Sequence, residues 1–240
     1  MILGRNLIVS IDGMAIAGAK SCSFEISQEF LKVCSPTASR MFNKIPTTYD
    51  WSMSVDCLIP NSVIPDVLTD VLIEGTRVLL TFTDGSGQNR AGFAYVKSCN
   101  EGGSVGSLAT FKASFEADGA LYKYVQYNAT SFSEGNNVRM SLSGDSISFA
   151  FNSPTHSKLH GVEINNTQNG KLYVLGFPEI PWAIYNETFG NIKSSLAEEQ
   201  APSSTSLIAK GKDASIVDLS ANEYYTFLCN SSPILIFMHE

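Results

Sequence analysis

Charge is what this chain has least of. Only 16% of its residues are Asp, Glu, Lys or Arg, the acidic ones prevail to give a net charge of −7, and the cations never gather into a run. Nucleic-acid capture needs clustered Lys and Arg to displace counterions from phosphates, so composition excludes that class. No stretch is long and apolar enough to span a bilayer. The apolar run Leu7, Ile8 and Val9 is broken by Asp12 and preceded only by Arg5, which argues against a secretory signal. Histidine is confined to His156, His160 and His239, which leaves no imidazole in the first half to activate a serine or cysteine there. The glycine-rich Gly102 to Gly106 lacks the Lys-Ser/Thr of a phosphate-binding loop and reads as a turn. The five cysteines, Cys22, Cys34, Cys57, Cys99 and Cys229, show no CxxC spacing and read as buried free thiols of a reducing compartment. No residue is assigned a catalytic, cofactor-binding or metal-binding role. His156 and His160, with Glu163 close by, have the spacing of a helical metal site, but Pro154 and Gly161 flank them and no helical pattern supports it.

What is present is β pattern. The chain is 44% apolar with 18 glycines and one residue in ten aromatic. Its most legible stretch is Thr48 to Thr83. Tyr49, Trp51, Met53, Val55 and Cys57 alternate with Asp50, Ser52, Ser54 and Asp56, the period of a strand with one buried and one wet face. Asn61 or Ser62 can cap a helix, Pro65 fits its first turn, and Ile64, Val67, Leu68, Val71 and Leu72 make one apolar stripe that ends at Gly75. A helix of about three turns is unstable alone, so that stripe must lie on a sheet. Its other side carries Asp66, Asp70 and Glu74, either a solvated face or a contact that wants charge. Val78, Leu80 and Phe82 alternate again, as do Phe111, Ala113 and Phe115 later. Asp12-Gly13 marks an opening hairpin, and Cys22, Phe24 and Ile26 a following strand. From Ser35 to Thr48 the alternation fails. Two prolines, Lys32, Arg40 and Lys44, and the pair Met41 and Phe42 predict a long functional loop there.

The order of these features resembles the major tail tube proteins of long-tailed bacteriophages. The resemblance is carried by GRNLIVSIDG at the start, the YDWSMS strand, the helix ending at Leu72 and Glu74-Gly75-Thr76, GFAYV at Gly92 to Val96, and SLATFKASFEADGAL at Ser107 to Leu121. It covers about half the chain. The fold it implies is a tail-tube-like β-sandwich with one short helix over residues 1–125, followed by a second all-β, sandwich-like domain over 126–240. The function it implies is structural: homo-hexameric rings stacked around a channel through which DNA passes without specific binding, in contact with other tail proteins and no membrane. Such a subunit belongs to the virion tail and assembles in the bacterial host cytoplasm. The loop of Arg40, Met41, Phe42, Asn43 and Lys44 matches in position the segment that reaches the next ring, and exposed apolar residues among polar ones mark interfaces. Asp50 and Asp56, on a wet strand face, are candidates for the channel lining.

The second half holds further strand patterns separated by Gly, Pro, Asn and Ser, including Val138 to Leu142, Ile147 to Phe151 and Trp182 to Tyr185. It carries the larger share of the negative charge and is expected on the tube exterior. Ala197 to Thr205 reads as a long mobile loop. The other reading of the chain is an exported β-sandwich binding module, an adhesin or carbohydrate binder. Trp182 and Tyr185, or Tyr224 and Tyr225, would stack on sugar rings in that case and fill a core otherwise.

Overall fold

The computed structural model describes residues 9–12, 14–15, 19–34, 42–58, 63–83, 87–103, 109–131, 138–152, 159–175, 179–231 and 233–239. They form two compact units, Met1–Tyr122 and Lys123–Glu240.

The first unit runs β1 (Val9–Ile11), β2 (Met14–Ala15), β3 (Ala19–Cys34), β4 (Phe42–Leu58), α1 (Val63–Glu74), β5 (Arg77–Thr83), β6 (Asn89–Gly102) and β7 (Thr110–Ala117). All pairings are antiparallel. One sheet has the order β3-β4-β7-β6, the other β6-β5-β1-β2. β6 serves both because it bends: Asn89–Tyr95 pair with β5, Ala94–Gly102 with β7, and the register shifts between Val96 and Ser98. A bulge at such a corner lets one strand change sheets without losing its ladder. The opening hairpin is pinned by Asp12, whose Oδ1 accepts from the Leu79 amide at 2.8 Å while its own amide donates to the Leu79 carbonyl at 2.9 Å.

The alternation in the sequence becomes the core. Trp51, Met53, Val55 and Cys57 are buried together with Phe111, Ala113 and Phe115 of the paired strand and Val78, Leu80 and Phe82 of β5. Large residues face small ones, Val55 opposite Ala113, which lets the layers interdigitate. Leu68 of α1 is fully buried, with Val71 and Leu72 packed on the same cluster and Val67 half-buried; the Ile64 side chain lies outside the described residues. Gly75, at φ +66°, ends the helix in the left-handed conformation that glycine adopts without cost.

The second unit contains β8 (Tyr122–Asn128), β9 (Thr130–Ser131), β10 (Arg139–Ser143), β11 (Ser146–Ala150), β12 (His160–Asn165), β13 (Gly170–Leu175), β14 (Trp182–Tyr185), α2 (Phe189–Ala197), β15 (Leu207–Gly211), β16 (Ser215–Leu219), β17 (Tyr224–Cys229) and β18 (Ile234–His239). Strands in the order β8-β18-β13-β16 and β9-β12-β17-β14-β15 enclose one core of Leu172, Val174, Trp182, Ile184, Phe227 and Phe237 among others. A third layer, the β10–β11 hairpin with α2, covers the second sheet's other face through Met140, Ala183, Tyr185, Ile192, Leu196 and Leu228. That is why all four residues of β14 are buried.

These layers decide between the two readings of the aromatics and correct the loop expected after residue 197. Trp182, Tyr185 and Tyr225 are core residues, each no more than 3% exposed, and only Tyr224 of the four aromatics faces solvent. The Trp182 ring packs against Phe227 and its indole N–H donates to the Asp213 carbonyl at 2.9 Å, so nothing is left for a sugar. The expected mobile loop from Ala197 to Thr205 instead begins at the last residue of α2. Glu198 and Gln200 amides donate to the Ser194 and Ser195 carbonyls, and Pro202 is buried. The helix is short, nine residues, and buries only Ile192 and Leu196, so its apolar stripe is weak.

Each unit sets a tryptophan ring against a glycine. A Cβ on Gly92 would lie 2.5 Å from the Trp51 ring, and one on Gly211 would lie 2.7 Å from Trp182. Gly92→Ala and Gly211→Ala should therefore each destabilise their own unit by about 1–3 kcal/mol through overpacking. Urea unfolding followed by tryptophan fluorescence, with the other unit's tryptophan replaced by Phe, checks each unit separately.

Candidate functional site

The first unit exposes its most unusual surface where β3 and β4 outrun the sheet. β7 pairs with β4 only over Ser52–Leu58, and among the described residues β3 pairs with β4 alone. Beyond the buried Trp51 the hairpin is therefore a two-stranded ribbon, marginal in isolation and exposed on both faces. It is also apolar. Ile26, Phe30, Leu31, Ile45 and Tyr49 are each about half exposed, and Val33 is 38% exposed. A register shift between Gln28 and Phe30 divides the ribbon. Past it, Leu31 stands opposite Ile45 with Val33 on the same face, while Phe30, Lys32, Lys44 and Pro46 share the other face. The Lys44 ammonium lies 5.8 Å from the Phe30 ring centroid.

This geometry corrects the loop expected from Ser35 to Thr48. Phe42 to Thr48 belong to β4, paired from Cys34↔Phe42 onward. Of the residues assigned to the inter-ring reach, Arg40 and Met41 lie outside the described residues, Phe42 and Asn43 are strand residues whose side chains also lie outside them, and Lys44 is an exposed strand residue. The bulge breaks the period of two, and Pro46 reads as a strand breaker. Proline is nevertheless tolerated on a strand with one unpaired edge.

The opposite, wet side of the sheet is ordered in rows across four strands. Ser21, Asp56, Lys112 and Asn100 form one, and Ser23, Ser54, Ser114 and Ser98 the next. They line an open groove of about 370 Å³. The Ser98 and Ser114 hydroxyls are 2.6 Å apart, Lys112 lies 3.8 Å from Asp56 Oδ2, and Lys97 lies 2.9 Å from Glu116. The bond from Glu116, with a smaller contribution from Asp50, holds the Lys97 ammonium above its ordinary range. Asp50 is exposed and its Oδ1 accepts from the Trp51 amide at 2.8 Å. Asp56 is partly buried, and its Oδ1 has no partner among the described residues. Both carboxylates sit on this face, which is hydroxyl-lined with its lysines matched by carboxylates.

The described cysteines are not activated nucleophiles. Burial raises the thiols of Cys57, Cys99 and Cys229 and pushes Cys22 up to about 11, so none is a thiolate near neutral pH. His160 lies on β12, a strand, while His156 lies outside the described residues. Among the described residues no group of three His, Cys, Asp or Glu is placed to hold a metal ion, and no helix is long and apolar enough to cross a membrane.

Comparison with solved structures finds likenesses at low sequence identity. The chain resembles phage-tail tube structures over about half its length. A virion of a native gene transfer agent particle matches with a TM-score of 0.45 and 16% identity, covering 50% of this chain and 97% of that one. The SPP1 tail tube matches at 0.41 and 14%, covering 51% and 78%. The SPP1 Dit protein, described as a hub adsorption component, matches at 0.34 and 10% but covers 97% of this chain and 98% of its own. No family model matches the chain, and no curated protein matches it by sequence.

The thiol environment predicts a pH response. Cys22 keeps its proton to about pH 11 when folded, against an ordinary value of 9.0. Between those values the unfolded chain loses a proton that the folded one retains, so the Cys22 contribution is intact below pH 9 and declines as pH rises towards 11. Urea unfolding of wild type and Cys22→Ser across pH 8 to 11 should show the wild type losing more stability. In the native protein at pH 8, alkylation of Cys57 and Cys229, read by mass spectrometry, should be far slower than in denaturant.

Proposed function

We propose that this chain is a structural subunit of a phage or prophage tail tube, forming stacked hexameric rings around a DNA-conducting channel. The observation that carries this reading is the β3–β4 ribbon: a long strand with one edge unpaired among the described residues, extending past its sheet with apolar side chains exposed on both faces. In a monomer such an edge invites uncontrolled pairing, and soluble proteins blunt it with short strands, bulges or charge. Here it is 16 residues long. A neighbouring copy that adds its own strand to β3 satisfies the free amides and carbonyls and continues the sheet, and repetition around an axis closes a ring.

The wet face then lines the channel. Its serine rows and matched charges offer DNA neither a field of free cations to bind phosphates nor apolar surface to hold bases. The ribbon, lying outside the ring's own sheet, reaches the copy stacked above or below. Virion-tail localisation, assembly in the host cytoplasm and contact with other tail proteins follow from the same reading. The exported carbohydrate binder loses its support, because three of the four aromatics it required are buried.

Electron microscopy of the purified chain at high concentration should show six-fold rings or tubes with a central channel. Rings that never stack would retain a ring-forming tail component and remove the tube. A chain that stays monomeric at every concentration would overturn the reading. The double substitution Leu31→Ser with Ile45→Ser should abolish assembly while changing unfolding stability by no more than about 0.5 kcal/mol, since both side chains are solvent-facing in the single copy.

A further inference from the structure

The ribbon carries an electrostatic conflict. Lys32 stands directly opposite Lys44 in the β3–β4 register, and like charges in an opposed pair destabilise a ribbon. Both are exposed, and among the described residues no carboxylate forms an ion pair with either. On the same face lie Phe30, 50% exposed, and Pro46.

A surface of opposite character lies on α1. Asp66, Asp70, Ile73 and Glu74 fall at i, i+4, i+7 and i+8, along one side of the helix. All are exposed, Ile73 by 77%, the most exposed large hydrophobic side chain among the described residues. The three carboxylates have no ion-pair partner among the described residues, and the last turn contains no basic residue to offset the helix dipole. Each surface thus holds charge that the other would neutralise and apolar area that the other would cover. Within one copy α1 packs on β6.

We infer that the Lys32/Lys44 face of the ribbon docks on the acidic outer face of α1 in a second copy of this chain, with Ile73 seated against Phe30 and Pro46. The partner is a second copy because both halves of the complement occur on this one chain. The inference rests on the assembly reading only for the supply of copies, and it assigns the ribbon a defined receptor.

Charge exchange tests it. One variant carries Lys32→Glu and Lys44→Glu, a second Asp66→Lys, Asp70→Lys and Glu74→Lys, and a third all five substitutions. Each one-sided variant should raise the concentration for half-assembly by about tenfold, measured by light scattering and sedimentation, and the combined variant should return it to near the wild-type value. Failure of the combined variant to recover, with wild type assembling, overturns the docking and leaves the tail-tube reading intact. A wild type that never assembles defeats both. Zero-length carbodiimide coupling of the assembled wild type guards against a misfolded variant. Mass spectrometry should find Lys32 or Lys44 joined to Asp70 or Glu74, alongside the Lys97–Glu116 pair as an internal control. Recovery of the control without any ribbon–helix link overturns the proposal.

Discussion

A strand with an unmet edge is the constraint on which the rest of this molecule turns. β3, sixteen residues long, pairs through fourteen of them with β4 and with no other strand among the described residues. The exposed amides and carbonyls do not cost much while hydrated, but they are a template for any strand that approaches. The bulge between Gln28 and Phe30 interrupts the template without ending it, and the apolar residues beyond it make the ribbon more adhesive. A shorter strand with a polar tip would leave a monomer less open to strand addition.

An adhesive ribbon is useful only if its base is rigid, and the core supplies that. β4 is one continuous strand that is buried at one end, through Trp51, Met53, Val55 and Cys57, and solvated at the other, from Lys44 to Asp50. The Trp51 indole donates to the Gly119 carbonyl at 3.1 Å, which ties the point of emergence to the turn after β7. Removing a buried tryptophan from such a site costs about 3–5 kcal/mol, enough to loosen the whole hinge between core and ribbon. α1 braces the same cluster through Leu68, and this leaves the helix's acidic side free.

Half of this arrangement was legible in the sequence, and the division has a physical basis. The strand of Tyr49 to Cys57, the strand around Phe111 to Phe115 and α1 each bury one face against one layer, so a single period reveals them. β14 is buried on both faces, and its four apolar residues could not say whether they met one layer or two. α2 shows only Ile192 and Leu196, too little to distinguish a helix from a loop. The ribbon was misread for the opposite reason. It buries neither face, so no alternation was required of it, and its bulge shifts the phase of what pattern there is. The serine rows were visible as alternating residues, but their alignment across β3, β4, β7 and β6 depends on register, which no single strand encodes.

Scarcity of charge gives the remaining charges meaning. In the first unit Arg77 pairs with Asp118, Lys97 with Glu116 and Lys112 with Asp56, all on surfaces where such pairs contribute little to stability. Their value is in what they prevent. A lysine with a carboxylate at its side attracts phosphate weakly, so a wall built of hydroxyls and matched pairs stays polar enough to remain wet without becoming a cationic track. The strand period then separates two tasks along the same residues. Odd-numbered positions of β4 from Trp51 to Cys57 hold the fold, and even-numbered ones from Ser52 to Asp56 form the polar, serine-rich face of the sheet. Lys32 and Lys44 stand outside this scheme, unmatched within the described chain and placed on the one element that leaves the sheet.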